Sequence, residues 1–192
     1  KRLIGSFEAN LLMDKNGNPL NEDEKAKRVK DFGYSLLKSK FLFDNYIIKR
    51  EYIKAEDEWT LKRYYWTEGN SSNYKNRFED EPLNKNVLTL LSAFHVSTPT
   101  MVYKHWLNAA LLYLFEQNGE INAESYLKKL ERVARIFVFN RFLADDSDTQ
   151  DYLSMIYSNE HFDASARMDI NPEKTSYGSI SNNLVFNYLD YL

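Results

Sequence analysis

The densest group of potentially reactive side chains is a run of four carboxylates, Asp145, Asp146, Asp148 and Asp151. Closely spaced carboxylates can hold a magnesium ion or act as general acid and base, so the run is compatible with a metal-dependent hydrolase. The same residues precede a short helical pattern that ends near Tyr157, and acidic residues stabilise the positive end of a helix. We therefore predict solvated helix-capping charges here and keep the hydrolase as an alternative.

The three histidines, His95, His105 and His161, lack the spacing of a helical metal site, in which two ligands lie four residues apart. His95 falls in an apolar run, which predicts a core histidine whose ring nitrogens are satisfied by neighbours. The chain has no Cys, no Gly-rich phosphate loop and no G-x-S-x-G or H-E-x-x-H motif. We expect no catalytic residue, cofactor or metal in this segment. The missing Cys also agrees with a reducing, cytoplasmic location.

A stripe of cations recurs at helical spacing and could contact a phosphate backbone, although a solvated helix face has the same pattern. Its members, our predicted nucleic-acid contacts, are Lys128, Lys129, Arg132 and Arg135. The net charge of −3 argues against a wholly basic nucleic-acid module, but local patches can still bind phosphate. A second string, residues 61–66, mixes cations with aromatic residues as single-strand binders do. A hairpin edge produces the same string, so both interpretations of it stay open.

The elements that must position these residues centre on an apolar run over residues 88–115, broken once by Ser97, Thr98 and Pro99. The run predicts two buried helices, because a helix without a polar stripe must be enclosed by other elements. Thr98 is expected to cap the second helix, and Pro99 to lie in its first turn, where no backbone donor is needed.

The flanking patterns predict a helix over about 22–42, a small β-hairpin over 46–66 and a polar loop over 67–82. A further helix over about 123–143, capped by Asn122, precedes the short helix near Tyr157 and a terminal helix over about 182–192. We predict a mainly α fold, an irregular helical bundle, as a single domain over residues 1–192. The longest strictly apolar run in the central region, residues 109–115, is far shorter than the roughly 20 residues that span a bilayer, so we expect a soluble protein without a membrane partner.

The end of the chain is also informative. The apolar-periodic segment that reaches Leu192 carries no helix stop signal, and the chain starts without Met. We therefore expect a fragment of a longer polypeptide.

Four segments of the chain, residues 43–52, 91–96, 134–141 and 186–192, carry a family resemblance. Their sequences are FDNYIIKREY, LSAFHV, ARIFVFNR and FNYLDYL. They resemble the C-terminal helical part of the ParB-like subunit in GmrSD-family modification-dependent (type IV) restriction systems. In that family an N-terminal ParB-like domain with an Asp-Gly-x-Gln-Arg type motif handles nucleotide, and an HNH-like nuclease domain follows the helical part.

Neither of those motifs occurs in this sequence. The resemblance therefore implies a non-catalytic connecting domain of a phage-defence protein, which holds the two flanking domains in register on DNA. Nucleotide and divalent metal would belong to the parent protein, and the partners would be the flanking domains and DNA. The alternative is a helical protein-interaction domain unrelated to defence, and the second alternative is the hydrolase that uses residues 145–151.

Overall fold

A computed structural model describes residues 12–14, 16–53, 55–67, 69, 71–98, 104–145, 151–157, 170–176, 178–180 and 182–192. These residues form a mainly α protein with a small β part, as predicted. The elements are α1 (Glu22–Tyr46), β1 (Lys49–Ile53), β2 (Glu56–Thr60), β3 (Lys62–Trp66), β4 (Ser72–Asn76), α2 (Glu81–Ser97), α3 (His105–Glu116), α4 (Ala123–Ile136), a π-helical segment (Phe137–Leu143), α5 (Tyr152–Tyr157), a 3₁₀ turn (Pro172–Thr175) and α6 (Leu184–Tyr191).

The chain divides into two compact units, the first ending at Asp44 and the second running from Asn45 to Leu192. The first unit holds most of α1, which begins where the Asn21 side chain accepts a hydrogen bond from the Glu24 amide at 2.9 Å. The cap and the helix agree with the prediction, although the helix extends four residues past its predicted end at residue 42. The single domain expected over residues 1–192 stays a prediction.

The core of the second unit lies among α2, α3 and α4. Helix α2 packs against α4 and α6, and α3 packs against α4 and α5. Phe94 of α2 stacks on Trp106 of α3 with ring centroids 5.6 Å apart. Almost no surface remains on Val87, Leu90, Leu91, Phe94, Ala110, Leu114, Tyr126 and Leu130. The two enclosed helices predicted over residues 88–115 are therefore confirmed.

The junction between these two helices differs from the prediction. Helix α2 ends at Ser97 and α3 begins only at His105, with no side-chain cap at Lys104. The Thr98 hydroxyl serves the preceding helix instead, because it donates to the Phe94 carbonyl at 2.7 Å and accepts from the Trp106 indole at 2.9 Å. Thr98 is thus the C-terminal cap of α2, and its predicted role as cap of the second helix is wrong. Pro99 lies outside the described residues.

The helix predicted over residues 123–143 begins as expected, with the Asn122 side chain accepting from the Ser125 amide at 2.9 Å. Its second half is different, because the backbone widens into a π-helical segment at Phe137. The Ala144 amide then donates to the Phe139 carbonyl, five residues back, at 2.8 Å. Residues of this segment remain buried as predicted, including Phe137, Val138 and Asn140.

The β part contains two hairpins where one was predicted over residues 46–66. Strand β1 pairs with β2, and β3 pairs with β4, in two separate antiparallel sheets. Strand β4 and the start of α2 occupy the predicted polar loop over 67–82. The sequence concealed β4, since Ser-Asn-Tyr-Lys-Asn is too polar to look like a strand. Within the described part of the chain, every helix is too short or too polar to cross a lipid bilayer.

Candidate interaction surfaces

The predicted cationic stripe lies on the outer side of α4, but its members differ in exposure and in ion pairing. Lys128 is exposed and its ammonium pairs with the Glu124 carboxylate at 2.7 Å. Lys129 is partly buried, and its pKa is lowered by that burial and by the neighbouring charge of Arg132. Arg132 and Arg135 are exposed. The stripe is therefore a mixed face on which carboxylates alternate with cations, and its contact with nucleic acid stays a prediction.

The predicted carboxylate run is only partly described. Asp146 and Asp148 lie outside the described residues, and Asp145 is exposed. Asp151 precedes α5, where one carboxylate oxygen accepts from the Ser154 amide at 3.0 Å and from the Ser154 hydroxyl at 3.2 Å. The backbone hydrogen bond is the main reason that the pKa of Asp151 is lowered. Asp151 is thus a helix cap, as the capping interpretation predicted.

His95 lies at the edge of the core. It is half-buried, and its ring centroid is 4.6 Å from that of Trp59 on β2. Lys104 Nζ lies 3.0 Å from His95 Nδ1. The pKa of His95 is lowered, first by burial and then by the Lys104 charge. His95 is thus a histidine with partners, as predicted, but it lies at the edge of the core, where α2 meets the first hairpin, and not inside it.

The second hairpin presents a set of aromatic rings on its outer side. The register pairs Tyr64 with Tyr74 and Trp66 with Ser72, and paired residues share a face of the hairpin. We call this side the aromatic face; it consists of Lys62, Tyr64, Trp66, Ser72, Tyr74 and Asn76. Tyr64 and Trp66 belong to the string over residues 61–66 that the sequence identified, whereas Tyr74 was missed. The sequence did contain a signal for Tyr74, because it is an aromatic residue at the position that pairs with Tyr64 across a polar turn.

Helix α6 carries a third surface. Its inner side is held by buried Leu184 and Tyr188 and by Asn187, whose amide donates to the Ser97 hydroxyl at 2.9 Å. Its outer side exposes three apolar residues at a spacing of three, which we call the α6 apolar face. They are Phe186, Leu189 and Leu192, with exposed fractions of 50%, 67% and 80%.

Among the described residues, no three His, Asp or Glu side chains come together in a way that could hold a metal ion. Comparisons of the chain with protein-family models, with curated proteins and with solved structures find no match. The resemblance to GmrSD-family proteins stays a prediction.

Proposed function

We propose that this chain is a non-catalytic helical connecting domain of a GmrSD-like phage-defence protein, holding a ParB-like domain and an HNH-like nuclease domain in register on DNA. The observation that carries the proposal is the α6 apolar face, formed by Phe186, Leu189 and Leu192. Contiguous exposed apolar residues mark interaction sites. Because the inner side of α6 is fixed to α2 through Asn187 and Ser97, a partner on the outer side would be held rigidly to the helical core.

The location of the resembling segments is consistent with a structural role. Segment 91–96 contributes Leu91 and Phe94 to the core, and segment 134–141 contributes Ile136, Phe137 and Val138. A segment that supplies packing residues sets the relative position of its neighbours and performs no chemistry of its own. The resemblance and the packing thus support the same proposal.

Contact with DNA would run along the outer side of α4. Lys128, Arg132 and Arg135 are exposed there and follow one another by about one helical turn. Lys129 would contribute less, since its lowered pKa reflects partial burial. An acidic chain with a local cationic stripe can still dock a phosphate backbone, because the local potential and not the net charge acts at short range.

The test uses the complete gene product that contains this chain. We expect Leu189→Asp to reduce DNA cleavage about tenfold or more while nucleotide hydrolysis continues, because a carboxylate buried in an interface costs more than about 1.4 kcal/mol. Asp190→Asn, on the adjacent exposed position, is the matched control and should leave both activities unchanged. Cleavage that is insensitive to Leu189→Asp would contradict the connecting role.

The two alternatives predict different outcomes. A gene product without ParB-like and HNH-like motifs on either side would favour a helical interaction domain unrelated to defence. Magnesium-dependent turnover by the isolated chain, abolished by Asp145→Ala or Asp146→Ala, would favour the hydrolase. The exposure of Asp145 and the capping role of Asp151 are arguments against the hydrolase.

A further inference from the structure

The aromatic face of the second hairpin is not explained by packing. Tyr64, Trp66 and Tyr74 are 48%, 66% and 58% exposed, whereas aromatic residues usually bury most of their surface. On the opposite side of the same hairpin, Arg63, Tyr65 and Lys75 are only partly exposed, and the polar Asn73 is exposed. The hairpin therefore turns three large rings toward solvent.

These rings are held in a defined arrangement. The ring centroids of Tyr64 and Trp66 are 5.8 Å apart at an interplanar angle of 83°, and those of Tyr64 and Tyr74 are 5.5 Å apart at 67°. Such edge-to-face contacts are favourable, so Tyr64 braces the rings on either side of it. The strand ends that flank the turn are held together as well, because the Thr67 amide and hydroxyl both donate to the Ser71 carbonyl, at 2.9 and 2.8 Å. A ligand would meet a preorganised surface.

The hairpin carries a small excess of positive charge although the chain as a whole is acidic. Residues 62–79 hold four cations, Lys62, Arg63, Lys75 and Arg77, against two carboxylates, Glu68 and Glu79. Arg63 and Lys75 share one of the two carboxylate oxygens of Glu79, at 2.9 and 3.2 Å, so these ion pairs leave one positive charge in excess. The aromatic face carries no acidic residue, and its one cation, Lys62, pairs with the Glu51 carboxylate of β1 at 2.7 Å. The local potential therefore favours an anionic ligand.

We propose that the aromatic face binds single-stranded nucleic acid, with unpaired bases stacked on Trp66 and Tyr74 and the backbone phosphates attracted by the unbalanced charge of Arg63 and Lys75. Exposed aromatic rings beside cations are the recognition surface of sequence-tolerant single-strand binders, because every base has a flat π-face. Bases in a duplex keep these faces stacked on one another and cannot offer them. The ligand is therefore a single strand.

A protein partner fits this surface less well. Aromatic residues also anchor protein interfaces, but the core of such an interface excludes water and is depleted in Lys and Ser. The remaining positions of the aromatic face are Lys62, Ser72 and Asn76, all of which carry hydrogen-bond donors. Phosphate and base edges supply acceptors for these donors without a dry interface. The proposal goes beyond the connecting role and does not depend on it, since the hairpin lies apart from α6 in the sequence and would bind a strand in either case.

The experiment measures binding of fluorescently labelled oligo-dT and oligo-U of about 12 nucleotides, a length within the usual site size of single-strand binders. We expect Trp66→Ala and Tyr74→Ala each to weaken binding about fivefold or more, because each removes one stacking surface. Trp66→Phe keeps an aromatic ring and should retain most of the affinity. The matched control is Tyr52→Ala, which removes a 74% exposed tyrosine from the first hairpin and should change the affinity less than about twofold.

The salt dependence of the affinity distinguishes base stacking on the aromatic face from electrostatic binding to the cationic stripe of α4. Contact with one or two phosphates predicts a shallow slope of about −0.7 to −1.4 for log affinity against log salt. A duplex of the same length should compete poorly. The proposal is overturned if neither oligonucleotide binds, if the duplex binds as well as the single strands, or if Trp66→Ala and Tyr74→Ala leave the affinity unchanged in variants whose circular dichroism matches that of the wild type. Loss of binding in Trp66→Ala with normal DNA cleavage by the complete gene product would support the proposal and leave the connecting role intact.

Discussion

The helical core and the second hairpin use the same residue types in opposite ways. Phe94, Trp106 and Tyr126 keep 2% or less of their surface, whereas Trp66 and Tyr74 keep more than half. In the core, each ring lies among several helices, and Tyr126 also reaches Phe78 and Tyr113 with ring centroids 6.5 and 6.0 Å away. In the hairpin, strands β3 and β4 pair with each other and with no other strand of the described residues.

The difference shows that enclosure, and not residue type, determines whether an aromatic residue stabilises the fold. A helix at the centre of a unit has neighbours on most sides, so an apolar stripe on it is buried. A two-stranded hairpin can cover only one of its faces, and alternation places every second side chain on the other. An aromatic residue on that outer face contributes little to stability and is available to a ligand.

Paired tryptophan truncations give the largest expected effect. Trp106→Ala should lower the free energy of unfolding by about 3–5 kcal/mol, because it leaves a cavity beside Phe94 and removes the hydrogen bond to Thr98. Trp66→Ala should change it by less than about 0.5 kcal/mol, as for an ordinary surface residue. Urea titrations followed by circular dichroism provide both values. Similar losses in the two variants would mean that the hairpin rings are part of the core.

The sequence predicted the helical core well because its signals are local and repeated. Apolar residues recur along α2 and α3 at helical spacing, and Asn122 marks the start of α4 by a cap that needs only the next three residues. The prediction for the junction at Thr98 was wrong because the deciding contact is not local in the sequence. The choice between capping the next helix and closing the previous one depends on Trp106, whose indole reaches the Thr98 hydroxyl only in the folded chain.

The candidate binding surfaces were predicted less completely. The string over residues 61–66 contains two of the three rings of the aromatic face, but Tyr74 joins them only through the register of β3 with β4. Three members of the predicted stripe, Lys128, Arg132 and Arg135, are exposed on α4, whereas Lys129 is partly buried. The pairing of Lys128 with Glu124 depends on side-chain rotamers, which periodicity does not determine. The π-helical turn at Phe137 could not be predicted, because the sequence carries no Pro or Gly to mark it.

Removal of one tyrosine hydroxyl from each region compares the core and the hairpin at the level of a single hydrogen bond. The Tyr126 hydroxyl is buried and donates to the Tyr46 carbonyl at 3.2 Å. Tyr126→Phe should therefore cost about 0.5–1.5 kcal/mol, with little change in packing. Tyr74→Phe removes an exposed hydroxyl and should stay within about 0.5 kcal/mol of wild type. The same urea titrations test both variants, and an equal cost in both would contradict the distinction between the two regions.

The smallest expected effect lies at His95, where the core meets the first hairpin. Burial and the Lys104 ammonium lower the pKa of His95 below its ordinary value of 6.5, so the native state resists protonation of the ring. The unfolded chain has no such resistance and takes up the proton first as the pH falls. The contribution of His95 is therefore fully present above about pH 6.5 and is lost as the pH falls toward the lowered native pKa.

A variant without this titration isolates the effect from the carboxylates that also titrate in acid. We expect the free energy of unfolding of the wild type to fall more between about pH 7 and pH 5 than that of His95→Gln, because only the wild type changes its proton uptake at this position. The difference between the two slopes is the quantity to measure, since background titrations cancel in it. Equal slopes would mean that the ring is as accessible to protons in the native state as in the unfolded chain. Trp59 and Lys104 would then not limit protonation of the His95 ring. His95 would behave like an exposed residue of the hairpin region and not like a residue of the core.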